Sequence, residues 1–380
     1  MPQNGAATQS CNNDSPDPFG RVAVVGGGAW GTALALIAHA AERQVSLWIR
    51  EPSAVEQVRR DRRNPFLPQF EIPDAIAVSD DLAASLANAD LVLLVVPSQF
   101  LRAMAREVQK ILPPDVPVVL CSKGIELKTG LLMTQVVAAE MPGRAQAVLS
   151  GPSFAEEAAA GQPTAVTVAI DPRQGGGLLV PGNLASRVAV TMSTMSFRPY
   201  LSDDQTGVEV GGAVKNVLAI ACGIAAGRGL GANPRAAIIT RGLAEIKRLA
   251  LALGGQPETV TGLAGIGDLA LTCSSEQSRN FTFGKSLGEG RSVDEALAGK
   301  SAVVEGVANA EAVAELAARL DVEMPICATV NAILRHGLPI DEAIAELLTR
   351  PLRAELRAFE ERVKVPHPQA VDTDSEALAP

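Results

Sequence analysis

The chain reads as an α/β protein: an N-terminal doubly wound parallel sheet followed by an all-α domain. Three observations predict this. A glycine-rich turn joins an apolar strand to an Ala/Leu helix near residues 21–42. Short β-rich runs then alternate with helical stretches through the first half. Beyond Gly207 the strand signals largely stop, and long Ala/Leu/Ile segments with helical spacing take over.

In order, residues 21–25 form a compact apolar strand, residues 32–42 a helix and residues 45–49 a second strand. Residues 91–96 are a continuous apolar run of six, the pattern of a strand covered on both faces. Residues 116–121, 147–150 and 165–170 continue the series. Strand–helix alternation with short turns implies right-handed crossovers and a parallel sheet. The pattern changes near residues 198–204, and helices are expected over 208–226, 235–253, 307–320 and 341–348. The expected organisation is a disordered tail over 1–19, a sheet domain over 20–198, a helical domain over 199–363 and a second disordered tail over 364–380.

Composition narrows the function. Of 380 residues 47% are hydrophobic, only 3% are aromatic, and the formal charge is −9. A core of Ala, Val, Leu and Ile follows. A surface for stacking bases or for a polyanion does not, so no nucleic-acid partner is expected. An anionic ligand would need a local cluster of cations and amides. The polar start of the chain lacks the apolar core of a signal peptide, and the longest apolar run, residues 217–226, is about half a membrane span. The cysteines at 11, 121, 222, 273 and 327 have no CxxC spacing, and His39, His336 and His367 are scattered. No metal site, no disulfide framework and a reduced cytoplasmic location are the expectations.

Gly26-Gly27-Gly28-Ala29-Trp30-Gly31 fits GxGxxG with its glycines at 26, 28 and 31. Following a strand and opening a helix, it marks a Rossmann dinucleotide site. Gly26 serves the tight turn, Gly28 the approach of backbone to a pyrophosphate, and Gly31 the packing of helix on sheet, while amides of the helix N-terminus face the phosphates. After the second strand, where an acidic residue would select NAD, the chain has Arg50 and then Glu51. Arg50 could take a 2′-phosphate, so NADP(H) is favoured with NAD(H) tolerated, unless Arg50 is simply a solvated cation.

Reduction of a carbonyl or oxidation of an alcohol needs a proton relay and, for an anionic substrate, a cation. Candidates cluster in four segments: Ser122-Lys123-Gly124, Ser150-Gly151-Pro152-Ser153, Gly211-to-Val217 with Lys215, and Gly265-to-Thr272 with Asp268, followed by Ser278-Arg279-Asn280. Lys215 sits among Ala213, Val214, Val217 and Leu218, where burial would lower its pKa towards the range of a general base, unless it reaches water from the helix. Asp268 follows two glycines and could equally be a turn aspartate. Lys123 and Arg279 gain weight as possible anion contacts from their joint presence.

The ordered set GGGAWG, VVPS, SKG, SGPSFAEE, GGAVKN, ITRGLAE, GLAGIGDLALTC, SRN and VVEG resembles the bacterial NAD(P)-dependent glycerol-3-phosphate dehydrogenases over about residues 20–360. The resemblance implies a 6-phosphogluconate-dehydrogenase-like helical domain, a homodimer, and interconversion of dihydroxyacetone phosphate and sn-glycerol 3-phosphate that feeds phospholipid synthesis. It implies that Lys215 is the proton donor and acceptor, with Asp268 beside it and Lys123 contacting both substrate and cofactor. Gly151, Ser153, Ser278, Arg279 and Asn280 match substrate contacts. Ala29, Trp30, Arg50, Ala155, Arg279, Val303 and Glu305 match cofactor contacts. Two departures stand out: Ala29 replaces a usual serine, which predicts weaker cofactor binding, and the loop 171–184 has no assigned role. The competing readings are a hydroxyacid or ketopantoate-type reductase, which would take a carboxylate, and a non-enzymatic NAD(P)-sensing module, which would need no lysine at 215.

Overall fold

The computed structural model describes residues 16–173, 177–298 and 304–350. Eight strands form one sheet: β1 (Arg21–Val25), β2 (Gln44–Trp48), β3 (Ala77–Ser79), β4 (Leu91–Leu94), β5 (Val118–Leu120), β6 (Gln146–Ser150), β7 (Thr164–Ile170) and β8 (Phe197–Ser202). Their order is β3-β2-β1-β4-β5-β6-β7-β8. The first six are parallel. The strand order reverses between β1 and β4, and the crevice outside the carboxyl ends of such strands is where a doubly wound sheet binds ligands.

Two elements differ from a purely parallel sheet. β7 pairs antiparallel with β6, from Ala147 opposite Ile170 to Ser150 opposite Thr167, and β8 then follows β7 in parallel. The short connection 151–163 includes only a five-residue helix, Ala155–Ala159, too little for the usual crossover and enough for a reversal. β8 carries the sheet to Ser202, within the 198–204 stretch where the sequence pattern changes, and the first long helix begins at Gln205. At the other end, Phe19 is buried and its N–H donates to Thr191 Oγ1 at 2.9 Å, which draws the last residue of the expected N-terminal tail into the core.

The period-two geometry of a strand explains why the central runs are apolar throughout. Val22, Val24, Leu91, Leu93, Val119 and Cys121 enter the core on one face. Ala23, Val25, Val92, Leu94, Val118 and Leu120 enter the core on the other. Helices cover both.

The helical half is built around Gln205–Gly227, in which every residue from Gly207 to Ala225 is buried. Helix Arg279–Gly288 packs along it closely enough that a Cβ on Gly223 would come within 2.1 Å of the Phe281 carbonyl oxygen. Helices Ala232–Ala252, Asp268–Ser274, Glu305–Arg319 and Pro325–His336 complete the shell. By length and composition Gln205–Gly227 could cross a membrane, which the 10-residue apolar run in the sequence did not suggest; 89% of its most apolar stretch is buried inside the protein.

Candidate active site

The glycine loop leaves β1 at its carboxyl end and opens helix Ala29–Ala40. Gly26 has φ +123°, a conformation that favours glycine, and a Cβ there would press to 2.5 Å from the Val95 carbonyl oxygen. A Cβ on Gly31 would meet the Gly26 carbonyl oxygen at 1.8 Å, so helix and turn touch backbone to backbone. Gly28 differs: a Cβ there would meet nothing within 4 Å. It is the N-cap, and no side chain caps this helix. The open side of the loop is thus an uncapped helix N-terminus with room beside it, which fits the pyrophosphate of a dinucleotide. Ala29 and Trp30 form the first turn, half-buried, and the Trp30 Nε1 has no partner among the described residues.

Arg50 lies just beyond β2 on the same edge. Its guanidinium is exposed, pairs with Glu51 at 2.7 Å and sits 6.0 Å from the centre of the Phe100 ring. Ala155 begins the short helix after Gly151 and Ser153 and is half-buried. Val303 lies outside the described residues.

At the same end of the sheet the chemistry-bearing side chains converge. Lys123 follows β5, and Gly151 and Ser153 follow β6. Lys215 projects from the central helix, and Asp268 begins helix Asp268–Ser274 directly after the π-helical turn Leu263–Gly267. Lys215 Nζ donates to Asp268 Oδ1 at 2.5 Å and to Thr272 Oγ1 at 3.0 Å. Lys123 Nζ donates to the other oxygen, Asp268 Oδ2, at 2.7 Å and to the Gly151 carbonyl at 3.1 Å. Ser153 Oγ donates to that same carbonyl at 3.1 Å. One carboxylate therefore bridges two ammonium groups, one from each half of the chain.

Lys215 is 6% exposed and Asp268 1%. Burial lowers the Lys215 pKa to about 8; Asp268 opposes this, and the Lys123 charge adds to it. For Asp268, burial alone would raise the pKa, but Lys123 and Lys215 outweigh it and hold the carboxyl below its usual value. The site thus keeps an ionised carboxylate beside an ammonium that can release its proton near neutral pH.

Ser278 caps helix Arg279–Gly288, its Oγ accepting from the Phe281 N–H at 3.2 Å. Arg279 is exposed at the first turn. Asn280 is turned inward: Nδ2 donates to Asn216 Oδ1 at 3.0 Å, and Oδ1 accepts from the Gly306 N–H at 2.9 Å. Glu305 starts helix Glu305–Arg319; burial raises its pKa against the pull of Arg279, Lys123 and Lys215.

Models of NAD-dependent glycerol-3-phosphate dehydrogenase match the chain twice, the N-terminal model over residues 21–175 and the C-terminal model over residues 204–345. The chain belongs to that family. It is 48% identical over 335 residues to the glycerol-3-phosphate dehydrogenase [NAD(P)+] of Rhodospirillum rubrum, an alignment covering 88% of this chain and 93% of the relative. It is 50% identical over 338 residues to the Caulobacter vibrioides protein of the same name, covering 89% and 99%. A crystal structure of glycerol-3-phosphate dehydrogenase from Coxiella burnetii superposes with a TM-score of 0.82 at 40% identity, covering 87% of this chain and 99% of that one.

Several residues of this glycerol-3-phosphate dehydrogenase that shape the site carry no motif signal. Buried Asn64 donates from Nδ2 to the Gly27 carbonyl at 2.9 Å and to Thr32 Oγ1 at 2.8 Å, which holds the glycine loop from outside it. Glu209 binds the two halves of the chain together: its carboxylate accepts from the Thr134 N–H at 2.9 Å and from Thr134 Oγ1 at 2.6 Å. Burial raises its pKa to about 7. Among the described residues no three His, Cys, Asp or Glu side chains come together as metal ligands.

Proposed function

We propose that this dehydrogenase interconverts dihydroxyacetone phosphate and sn-glycerol 3-phosphate with NAD(H) or NADP(H), and that Lys215 is its acid–base. The observation that carries this reading is the buried Lys215–Asp268–Lys123 cluster at the carboxyl edge of the sheet that bears the glycine loop.

The nicotinamide, when bound, supplies or accepts the hydride. The rest is the work of this chain. An ammonium has three donors. Lys215 directs one to Asp268 and one to Thr272, which leaves the third for the C2 oxygen of the substrate. As C2 is reduced, that N–H passes its proton to the oxygen; in the reverse direction neutral Lys215 takes the hydroxyl proton. Asp268 stays ionised and fixes the direction of Nζ. Lys123 has two donors engaged at Asp268 and Gly151 and offers the third to the substrate.

The phosphate is assigned to the N-terminus of helix Arg279–Gly288, where Arg279, the backbone amides and the helix dipole act together. Ser278 and Asn280 support that turn through its cap and its tie to Asn216. In a chain of net charge −9 such concentration of positive potential is what a dianionic substrate requires.

The pyrophosphate is assigned to the loop Gly26–Gly31, with Ala29, Trp30, Ala155 and Glu305 around the cofactor. Arg50 is already paired with Glu51, so a 2′-phosphate gains less from it than from a lone arginine. We expect both cofactors to serve, with NADP(H) slightly preferred. The reading also takes the protein to be a cytoplasmic homodimer that feeds glycerophospholipid synthesis.

Oxidation of NADPH and of NADH, followed with dihydroxyacetone phosphate and, separately, ketopantoate, tests the assignment. Turnover with the phosphate ester alone is expected; turnover with ketopantoate alone would overturn it.

A further inference from the structure

Asn309 has no place in the mechanism above, yet it is fully buried one turn into helix Glu305–Arg319. Its Nδ2 donates to the Lys123 carbonyl at 3.2 Å and to the Ala213 carbonyl at 3.2 Å. Lys123 belongs to the sheet half. Ala213 lies two residues before Lys215 in the central helix. A single amide therefore joins the two backbones that carry the ammonium groups sharing Asp268. Both partners are carbonyl acceptors, so only the nitrogen of the amide can face them, and its orientation is fixed.

The amide oxygen finds no partner among the described residues. It lies against Gly124, where an added Cβ would come within 2.8 Å of it and within 2.4 Å of Ser98 Oγ. A buried acceptor without a donor is destabilising, and an apolar side chain of similar size would fill the space without that cost. Packing does not explain an asparagine here. Its two donors do.

We propose that Asn309 is a positioning residue for the proton transfer, holding the backbones of Lys123 and Lys215 at the spacing that lets their ammonium groups meet opposite oxygens of Asp268. The proposal rests on the dehydrogenase reading. Spacing matters because the charged and titratable groups around Lys215 act against one another: Lys123 favours loss of its proton, Asp268 and Glu305 favour its retention, and the Cys273 thiol lies nearby. If the Lys123 segment drifts from the helix, the repulsion weakens first, and Lys215 holds its proton more firmly.

Two variants test this, Asn309→Leu, of similar size with no donor, and Asn309→Ser, with one donor. Each is assayed for kcat and KM with dihydroxyacetone phosphate and NADPH across pH, for NADPH binding and for Tm. Asn309→Leu removes the unpaired amide oxygen but also strips the Lys123 carbonyl of its donor, so Tm serves as the folding control. The variant is expected to bind NADPH within about threefold of wild type and to lose at least about tenfold in kcat, since a misplacement of about 1 Å can cost about a hundredfold. The pH midpoint of kcat should move upward by about half a unit or more. Asn309→Ser should fall between wild type and Asn309→Leu, and it decides the matter if Asn309→Leu does not fold. A changed Tm with unchanged kcat and pH midpoint in either variant would overturn the positioning role while leaving the dehydrogenase reading intact. A wild type that does not reduce dihydroxyacetone phosphate would overturn both.

Discussion

At the scale of single residues, Lys215 is defined by burial. Its pKa falls from 10.5 to about 8 because the helix that carries it is enclosed along its length, and Asp268 keeps that fall from going further. The sign of the resulting pH dependence follows from the acid–base role proposed for it. In the reductive direction the ammonium is the active form, so kcat for dihydroxyacetone phosphate should be flat at lower pH and decline as pH rises through about 8. In the oxidative direction the neutral amine is active, and the limb inverts. A pair of pH profiles checks this, and matching limbs in both directions would contradict it. Arg279 makes a different kind of contribution. In the proposed site its charge would meet the phosphate in ground state and transition state alike, so Arg279→Ala should raise KM strongly, by about tenfold to a hundredfold, with a smaller change in kcat.

The glycines of the dinucleotide loop divide at the scale of the element. Gly31 is hemmed in by the Gly26 carbonyl, whereas Gly28 faces open space. Gly31→Ala should therefore lower both Tm and cofactor affinity. Gly28→Ala should leave Tm unchanged and weaken NADPH binding about tenfold or more, since its methyl group would occupy only the ligand's side. Equal binding by Gly28→Ala and wild type would remove the pyrophosphate from this loop.

Glu209 supplies the second element-scale expectation, because it ties helix Met133–Glu140 to the central helix. Its folded-state pKa is raised to about 7 from 4.5. The folded protein thus binds the proton more tightly than the unfolded chain. The associated stability is fully present below the unfolded value of 4.5 and is lost as pH rises through about 7. Glu209→Gln keeps an acceptor and a donor for Thr134 without the titration, so Tm in this variant should fall less between pH 5 and pH 8. The gain at pH 8 should be on the order of 2 kcal/mol. Parallel Tm curves for variant and wild type would exclude the effect.

Across the whole molecule, what could be read from the sequence depended on how local each signal is. The strand–glycine–helix unit at residues 21–40 is contiguous, and the apolar run at residues 91–96 announces a strand buried on both faces. β3 is only three residues long, and β8 carries Pro199 and buries only its first residue, Phe197, so neither stood out. Strand direction leaves no local trace, and the reversal at β7 was accordingly invisible. Lys215 and Asp268 were conspicuous as charges within apolar or glycine-rich segments. Their meeting at 2.5 Å depends on a fold that brings positions 53 residues apart together. Asn64 acts on a loop 37 residues away, and Asn309 on carbonyls 186 and 96 residues away. Such polar ties are set by tertiary packing, and an isolated asparagine in a helix or loop looks like any other.

The two halves meet where the carboxyl edge of the sheet faces the central helix, and the proposed proton-transfer group, Lys215, stands at that junction. Lys215→Ala, assayed for NADPH oxidation with dihydroxyacetone phosphate and for NADPH binding, puts this arrangement to its most direct test. Cofactor binding should survive, while kcat drops by about a thousandfold or more, the usual worth of a positioned general acid. Turnover within a few-fold of wild type would contradict it.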